Sequence, residues 1–354
     1  MDKIRVLVVD DSVVIRTVLK NMIESDKDLQ VAGVACDGVE AIEKVLTLKP
    51  DIVTMDVEMP RMDGLEALKQ IMAKCPTPVI MLSSLTVDGA KTTLQALELG
   101  AVDFIPKNLS QISMNMMNIQ KMLVDKLKQI GGRKVRQGRQ QAQPLAAAQQ
   151  TKAVEPTPSK VEPTPSKKIA IVAIGTSTGG PKALHAVIPA LPKDFPVPVV
   201  ISQHMPASFT GPFAERLNQL SQIHVREAKH GEKIENGIVY IAPGSGHMSL
   251  TIKGRDRIIN IADNAEYIYK PSVDVMMLSV AAVNPGNCLG VILTGMGNDG
   301  LKGMKAIRDS GGRTIVESMS TCVVYGMPKA VVDAGIAEKV VPLNEIADAI
   351  INSI

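Results

Sequence analysis

Val154–Lys167 reads VEPTPSKVEPTPSK, one heptapeptide written twice. Pro, Ser, Lys and Glu without aromatic side chains cannot bury enough apolar surface to offset the entropy of ordering. The stretch is read as a tether, stiffened by its prolines. It closes a longer run that starts at Gly131-Gly132 and holds a Gln/Ala tract from Gln140 to Gln150. The 354-residue chain then divides into a unit over residues 1–125, a helix end and flexible Gln/Pro-rich linker over 126–167, and a second unit over 168–354. Both units have the size of an ordinary domain.

The tether also explains the charge. Residues 131–167 hold seven basic and two acidic side chains, net +5, whereas the whole chain is +3, so the rest carries −2. A basic balance confined to a tether is no nucleic-acid face. Aromatic residues make up 2% and Trp is absent, which argues against base stacking. A transcription factor would need a basic recognition element after the first unit, and none is present. The four cysteines are scattered, with no Cys-x-x-Cys pair, so neither a disulfide framework nor a zinc site is expected. The start, MDKIR, lacks a signal-peptide pattern, and no apolar run is long enough to span a bilayer. The expected location is cytoplasmic, with no membrane insertion.

In the first unit short apolar runs alternate with helical patterns. Strands are expected at Ile4–Val9, Val31–Ala35, Ile52–Met55, Val79–Leu82 and Asp103–Ile105, and helices at Val13–Ser25, Val39–Leu48, Gly64–Ala73, Gly89–Leu99 and Ser110–Ile130. Five βα repeats imply a parallel, doubly wound sheet with its site at the carboxyl edge. At that edge fall Asp10 and Asp11 after the first strand, Asp56 after the third, Ser83 and Ser84 after the fourth and Lys107 after the fifth. Clustered carboxylates suit Mg²⁺, and the Lys suits a phosphoryl oxygen. Asp56 is placed to become an acyl phosphate. Taken singly, Asp11 also reads as a cap of the first helix, Ser83 or Ser84 as a cap of the fourth, and Lys107 as a solvated loop residue.

The second unit opens with a strand (Ile169–Gly175), a helix (Pro181–Ile188) and a strand (Val197–Gln203). Gly237–Ala242, His247–Ile252 and Ile258–Ile261 look like antiparallel ribbons. Strands Cys288–Leu293 and Thr314–Glu317 follow, with helices from Leu301, Pro328 and Leu343. The result is a mostly parallel α/β sheet with an antiparallel hairpin insertion. Its first strand ends in GTSTGG (Gly175–Gly180), a strand–turn–helix setting for an exposed Ser177. His204 ends the next strand, and Asp299 follows Cys288–Leu293. A Ser nucleophile needs a base, and the base needs a carboxylate. The plain alternatives are caps: Ser177 or Thr178 for the first helix, Asp299 for the helix from Leu301. Asp274, inside the helical pattern Val273–Val283, is a rival acid, and His247 follows a Gly-rich turn. A dinucleotide site would need an acid after the second strand, where Gln203-His204 stands.

VVDDS, DIVTMDVEMPRMDG and DFIPK in the first unit resemble the receiver domain of two-component response regulators. That resemblance implies a (βα)5 flavodoxin-like fold and phosphorylation of Asp56 by a chemotaxis histidine kinase. It implies Mg²⁺ on Asp10, Asp11, Asp56 and the Glu58 carbonyl, with Ser83, Phe104 and Lys107 as the phospho-switch. Where that family carries Pro after the Lys, this chain has Asn108, with Pro106 before the Lys. IGTSTGGP, SQHMP, VYIAPGSGHMSL, KPSVDVMM and ILTGMGNDG in the second unit resemble the catalytic domain of chemotaxis protein-glutamate methylesterases of the CheB type. This implies Ser177, His204 and Asp299 as the triad, and Met296 with Thr178 at the oxyanion. It also implies hydrolysis of glutamate γ-methyl esters on chemoreceptor cytoplasmic helices, deamidation of receptor glutamines, activation by phosphorylation, and no cofactor for the esterase reaction. His230 stands where that family is expected to carry Asp.

Overall fold

The structure is a computed structural model, which describes residues 3–107, 112–141, 168–264, 266–267 and 269–354. The tandem heptapeptide and Asn108 lie outside the described residues.

The first sheet contains β1 (Ile4–Val9), β2 (Leu29–Ala35), β3 (Ile52–Asp56), β4 (Val79–Ser83) and β5 (Asp103–Pro106). Between and after them run α1 (Val13–Glu24), α2 (Gly38–Leu48), α3 (Gly64–Lys74), α4 (Val87–Glu98) and α5 (Ile112–Gln141). The order is β2-β1-β3-β4-β5, and every pairing is parallel. β3 and β4 are buried along their whole length, as expected of a parallel sheet covered on both faces. The chain reverses its direction of winding between β1 and β3, so a crevice opens where Asp10 and Asp56 end their strands.

α5 corrects one expectation. It does not stop at Ile130 but runs through Gly131-Gly132 to Gln141. A Cβ on Gly131 would lie 2.6 Å from Ile4 Cγ2, so this glycine lets the helix press onto β1. The Gly-Gly pair marks a close approach and does not break the helix.

The second sheet is built from β6 (Ile171–Thr176), β7 (Val199–Gln203), β8 (His224–Glu227), β9 (Ile238–Ile241), β12 (Cys288–Ile292), β13 (Arg313–Glu317) and β14 (Lys339–Val341). Its order is β14-β13-β12-β6-β7-β9-β8, parallel throughout. Helices α6 (Gly180–Val187), α7 (Ala207–Leu220), α8 (Val273–Val283), α9 (Leu301–Asp309), α10 (Met327–Asp333) and α11 (Leu343–Ile351) pack around it. The hairpin of β10 (His247–Lys253) and β11 (Asp256–Ala262) stands apart as a two-stranded antiparallel ribbon.

β9 is a second correction. Gly237–Ala242 is not part of the ribbon; it lies in the main sheet between β7 and β8. Val239, Tyr240, Ile241 and Ala242 are all buried, and a continuous apolar run without alternation is the mark of a covered parallel strand. α7, β8 and β14 complete the sheet beyond the expected elements; α7 carries Gly211 and Pro212 in its interior, which blur a helical pattern.

The two sheets meet through their helices. Phe104 of β5 stacks on Phe209 of α7 with ring centroids 4.4 Å apart. Glu98 of α4 takes two hydrogen bonds from Arg216 of α7, at 2.6 and 2.8 Å. Val324 belongs to an apolar cluster otherwise made of side chains from the first sheet and its helices α1 and α5, such as Val8, Leu82, Ile105 and Leu123, and Met296 and Val323 pack against it. Among the described residues, no helix is long and apolar enough to cross a membrane.

Candidate functional site

Three neighbouring strands of the second sheet bring three distant side chains together. β6 delivers Ser177, β7 delivers His204, and the loop after β12 delivers Asp299. β6 lies between β12 and β7, at the point where the chain changes its direction across the sheet. Ser177 Oγ lies 3.1 Å from His204 Nδ1, and His204 Nε2 lies 2.8 Å from Asp299 Oδ2. Asp299 can only accept, so the imidazole proton sits on Nε2, and Nδ1 is the nitrogen left to take a proton from the serine.

Asp299 is held by more than the histidine. Its Oδ2 also accepts from the Val273 N–H at 2.8 Å. Oδ1 accepts from the Asp274 N–H at 2.9 Å and from Ser272 Oγ at 3.1 Å. Burial pushes this carboxyl up, but the bonds from His204 and from the two backbone N–H groups outweigh it and hold the group below the usual carboxylate range. Asp299 does cap a helix, as one plain reading has it, but the helix is α8; α9 starts at Gly300 without a side-chain cap.

The rival acid is disposed of by the same geometry. Asp274 points its carboxylate at the Gly303 N–H, 2.8 Å away at the start of α9, and burial raises its pKa. It supports Asp299 through its backbone only. Neither Ser177 nor Thr178 caps α6, which begins after Gly179 with no side-chain cap.

The serine turn is anchored from several sides. Ser177 N–H donates to Thr294 O at 3.1 Å, and Thr294 Oγ1 donates to Thr178 O at 2.9 Å. Gln203 Nε2 donates to Ser177 O at 3.0 Å. A Cβ on Gly180 would lie 1.9 Å from Gln203 Oε1, so the glycine leaves the room this side chain occupies. Among the described residues no acceptor engages the backbone N–H of Thr178 or of Met296, the two expected oxyanion donors. Tyr269, about half exposed, stacks on the His204 ring at 5.1 Å. Thr294, Gln203, Ser272 and Tyr269 were not read from the sequence; Ser272, in a Pro-Ser-Val-Asp run before an apolar helix, carried a cap signal that was there to be used. His230 is exposed and its Nδ1 accepts from the Ile261 N–H, far from this chemistry in role.

The second candidate site lies at the carboxyl edge of the first sheet. Asp10, Asp11 and Asp56 present carboxylate oxygens within 4.8 Å of one another. Lys107 Nζ lies 2.7 Å from Asp10 and 2.6 Å from Asp56. Burial raises the Asp56 pKa, with the Asp10 charge adding to it, against the lowering effect of Lys107 and of the Glu58 N–H. Burial pulls the Lys107 ammonium down, but its two carboxylate partners outweigh this and hold it above its ordinary value. Three clustered carboxylates, two of them sharing one ammonium, are a donor set that fits a hard divalent cation. A cavity of about 230 Å³, lined by Asp11, Asp56, Glu58, Ser83, Ser84 and Lys107 among others, adjoins it.

Helix caps do not explain these residues. Ser12 caps α1 and Thr86 caps α4, which leaves Asp11, Ser83 and Ser84 without that role. Ser83 is buried and turned toward α4, accepting from Thr93 Oγ1 at 2.5 Å, with the Ser84 and Gly89 carbonyls at 3.0 and 3.3 Å as alternative acceptors for its single proton. Phe104 is fixed by Lys126, which donates to its carbonyl at 3.1 Å and lies 6.0 Å from its ring centroid, and by the stack on Phe209. Phe209 sits in the first turn of α7, five residues after His204.

Comparison with known proteins gives the same two parts. Residues 172–350 match the family model described as CheB methylesterase, and residues 6–117 match that of the response regulator receiver domain. The chain is similar to "Protein-glutamate methylesterase/protein-glutamine glutaminase 1" of Oleidesulfovibrio alaskensis, 48% identical over 99% of each chain. The protein of the same name from Geobacter sulfurreducens is 45% identical, over 98% of this chain and 97% of that one. The crystal structure of the Thermotoga maritima CheB methylesterase catalytic domain is 42% identical with a TM-score of 0.51, covering 53% of this chain and all of that one.

Proposed function

Because this chain belongs to the CheB methylesterase family and carries a response-regulator receiver, we propose that it hydrolyses glutamate γ-methyl esters on the cytoplasmic helices of chemoreceptors. It also deamidates receptor glutamines, as the name of its relatives indicates. It works in the cytoplasm. The receiver spans residues 1–125, the linker 126–167 and the catalytic domain 168–354.

The observation that carries this reading is the unbroken line Ser177–His204–Asp299, with contacts of 3.1 and 2.8 Å. His204 Nδ1 takes the Ser177 proton as Oγ attacks the ester carbonyl. Asp299 keeps the other ring nitrogen protonated and stabilises the imidazolium that forms. The N–H groups of Met296 and Thr178 receive the developing oxyanion. The bond to methoxide breaks, His204 returns the proton, and methanol leaves an acyl ester on Ser177. Water, deprotonated by His204, then releases the glutamate carboxylate and restores the serine. With a glutamine side chain the leaving group is ammonia.

Activity is switched by Asp56, which accepts a phosphoryl group from a chemotaxis histidine kinase. Asp10, Asp11, Asp56 and the Glu58 carbonyl would hold Mg²⁺, which would supply charge neutralisation for the incoming phosphoryl group. Phosphorylation turns the singly charged Asp56 carboxylate into an acyl phosphate of about two negative charges, a net gain of about one. It keeps Lys107 at Asp56 and draws the Ser83 hydroxyl toward it, away from Thr93 and Gly89. Phe104 follows, and its stack on Phe209 loosens. Support for this coupling comes from the packing of Met296 and Val323 against an apolar cluster made largely of receiver side chains. In that arrangement the receiver restricts access to the serine.

The test is methanol release from a methylated receptor fragment. Wild-type protein releases methanol, and Ser177→Ala releases none above background. Near-normal release by Ser177→Ala overturns the triad.

A further inference from the structure

We propose that Ser272 and His247 are positioning residues of the hydrolase, extending the hydrogen-bonded line behind Asp299 by two side chains; the inference rests on the esterase reading above. Both are almost fully buried, at 1% and 2% exposure. Ser272 Oγ lies 3.1 Å from Asp299 Oδ1 and 3.4 Å from the Val275 N–H. The second contact is a donor, so the single hydroxyl proton of Ser272 goes to Asp299. Ser272 N–H donates to His247 Nδ1 at 3.0 Å, and His247 Nε2 lies 3.2 Å from the Asn264 carbonyl.

These contacts admit one arrangement of protons. Nδ1 of His247 accepts, so its proton is on Nε2 and goes to Asn264 O. The ring is thereby neutral and its tautomer settled. Tyr267 lies against it, with centroids 5.5 Å apart. The line then reads Ser177, His204, Asp299, Ser272, His247 and the Asn264 carbonyl. It joins the catalytic edge to the first residue of the β10–β11 ribbon, which pairs with no strand of the main sheet but packs against it through Met248, Leu250 and Ile259.

The consequence is directional. Ser272 occupies Oδ1 of Asp299 and so turns Oδ2 toward His204. It also drains part of the carboxylate charge, which tempers the pull of Asp299 on a protonated His204. The charged and titratable groups around the line are Asp299, Asp274 and Lys302 near α8 and α9, Asp263 with its ion-pair partner Lys270 after β11, and the Tyr269 and Tyr267 rings against the two histidines. Removing the Ser272 hydroxyl lowers turnover and strengthens the hold of Asp299 on imidazolium.

The experiment uses the full chain, a methylated receptor fragment and a saturating phosphodonor, with methanol release followed across pH. Ser272→Ala is expected to lower kcat about tenfold at nearly unchanged KM, the scale of one lost bond to a charged group. The acidic limb of its kcat/KM profile moves to higher pH. Ser272→Thr, which keeps the hydroxyl, recovers most of the loss. His247→Asn sets an amide oxygen where Nδ1 accepts, and retains more activity than His247→Phe, which keeps the ring but offers no acceptor. If Ser272→Ala does not fold, His247→Phe against His247→Asn carries the same test. Wild-type kcat in Ser272→Ala, or a lower kcat with the acidic limb unmoved, overturns the proposal. Ser177→Ala serves as the reference. Turnover by that variant removes the esterase reading itself, whereas a dead Ser177→Ala beside an unaffected Ser272→Ala removes only the positioning line.

Discussion

The two polar sites of this protein are assembled on the same plan, at the carboxyl edges of parallel sheets, yet they are finished to different degrees. Asp299 accepts from four donors, His204, Ser272 and the N–H groups of Val273 and Asp274, and its pKa is held down. Asp56 shares one ammonium with Asp10, and its pKa is raised by burial. Under the function proposed above, Asp299 steers a histidine through a catalytic cycle and is best fixed before substrate arrives. Asp56, as the proposed phosphoryl acceptor, gains from a site whose charge balance changes when the group arrives. On that reading one site is built to stay, the other to move.

The largest test of that contrast is to silence each site alone. Ser177→Ala is expected to lower methyl-ester hydrolysis by roughly four to six orders of magnitude, as for other serine triads, while Asp56 still takes up phosphate from a small phosphodonor. Radiolabel uptake and methanol release, measured on one preparation, check both halves; loss of both functions together would mean the sites are not separable. Conversely, Asp56→Asn keeps the basal hydrolysis rate and loses all stimulation by a phosphodonor.

A smaller effect sharpens how the two regions communicate. Phe209→Ala removes the 4.4 Å stack on Phe104, an interaction of about 0.5–1.5 kcal/mol beyond its buried area. Basal methanol release without phosphodonor is expected to rise a few-fold. Arg216→Ala breaks the α4–α7 ion pair, which is partly solvent-exposed and worth about 0–1 kcal/mol, so its basal rate should rise less. An Arg216→Ala effect larger than that of Phe209→Ala would shift the coupling from the aromatic stack to the helix pair.

Stability against pH offers the mildest test. The folded pKa of Asp299 lies below its unfolded value of 3.8. Its contribution is therefore complete above that value and fades as pH falls toward the folded pKa. Thermal unfolding of Asp299→Asn should lack this part of the acid sensitivity as pH falls below 3.8, with the sheet otherwise intact. Asp56, with its pKa raised, works in the opposite sense: it favours the fold at low pH, and that contribution is lost as pH rises through its folded pKa.

Much of this was legible in the residues themselves. Apolar runs bounded by turn signals fall where β1, β3, β4, β6, β7 and β12 lie, because fully covered parallel strands need such runs. Ser177 and His204 stand out as polar residues directly after the runs of β6 and β7, and Asp299 as an acid in the Gly-rich loop six residues beyond Leu293. What the sequence hid were relations between distant segments. Gly131-Gly132 reads as a break until Ile4 is seen to press on it. Gly237–Ala242 reads as ribbon until its partners, β7 and β8, are known. Asp299 reads as a cap of the next helix, while it caps α8, which precedes it in sequence. No local pattern reports which nitrogen of His204 faces the serine or that Phe104 meets Phe209.

The most direct measurement is the rate of methanol release from a methylated receptor by the full chain, before and after a phosphodonor and Mg²⁺ are added. The account predicts a rise in the wild type, a flat basal rate in Asp56→Asn and no release in Ser177→Ala under either condition. An identical wild-type rate before and after phosphorylation would contradict it.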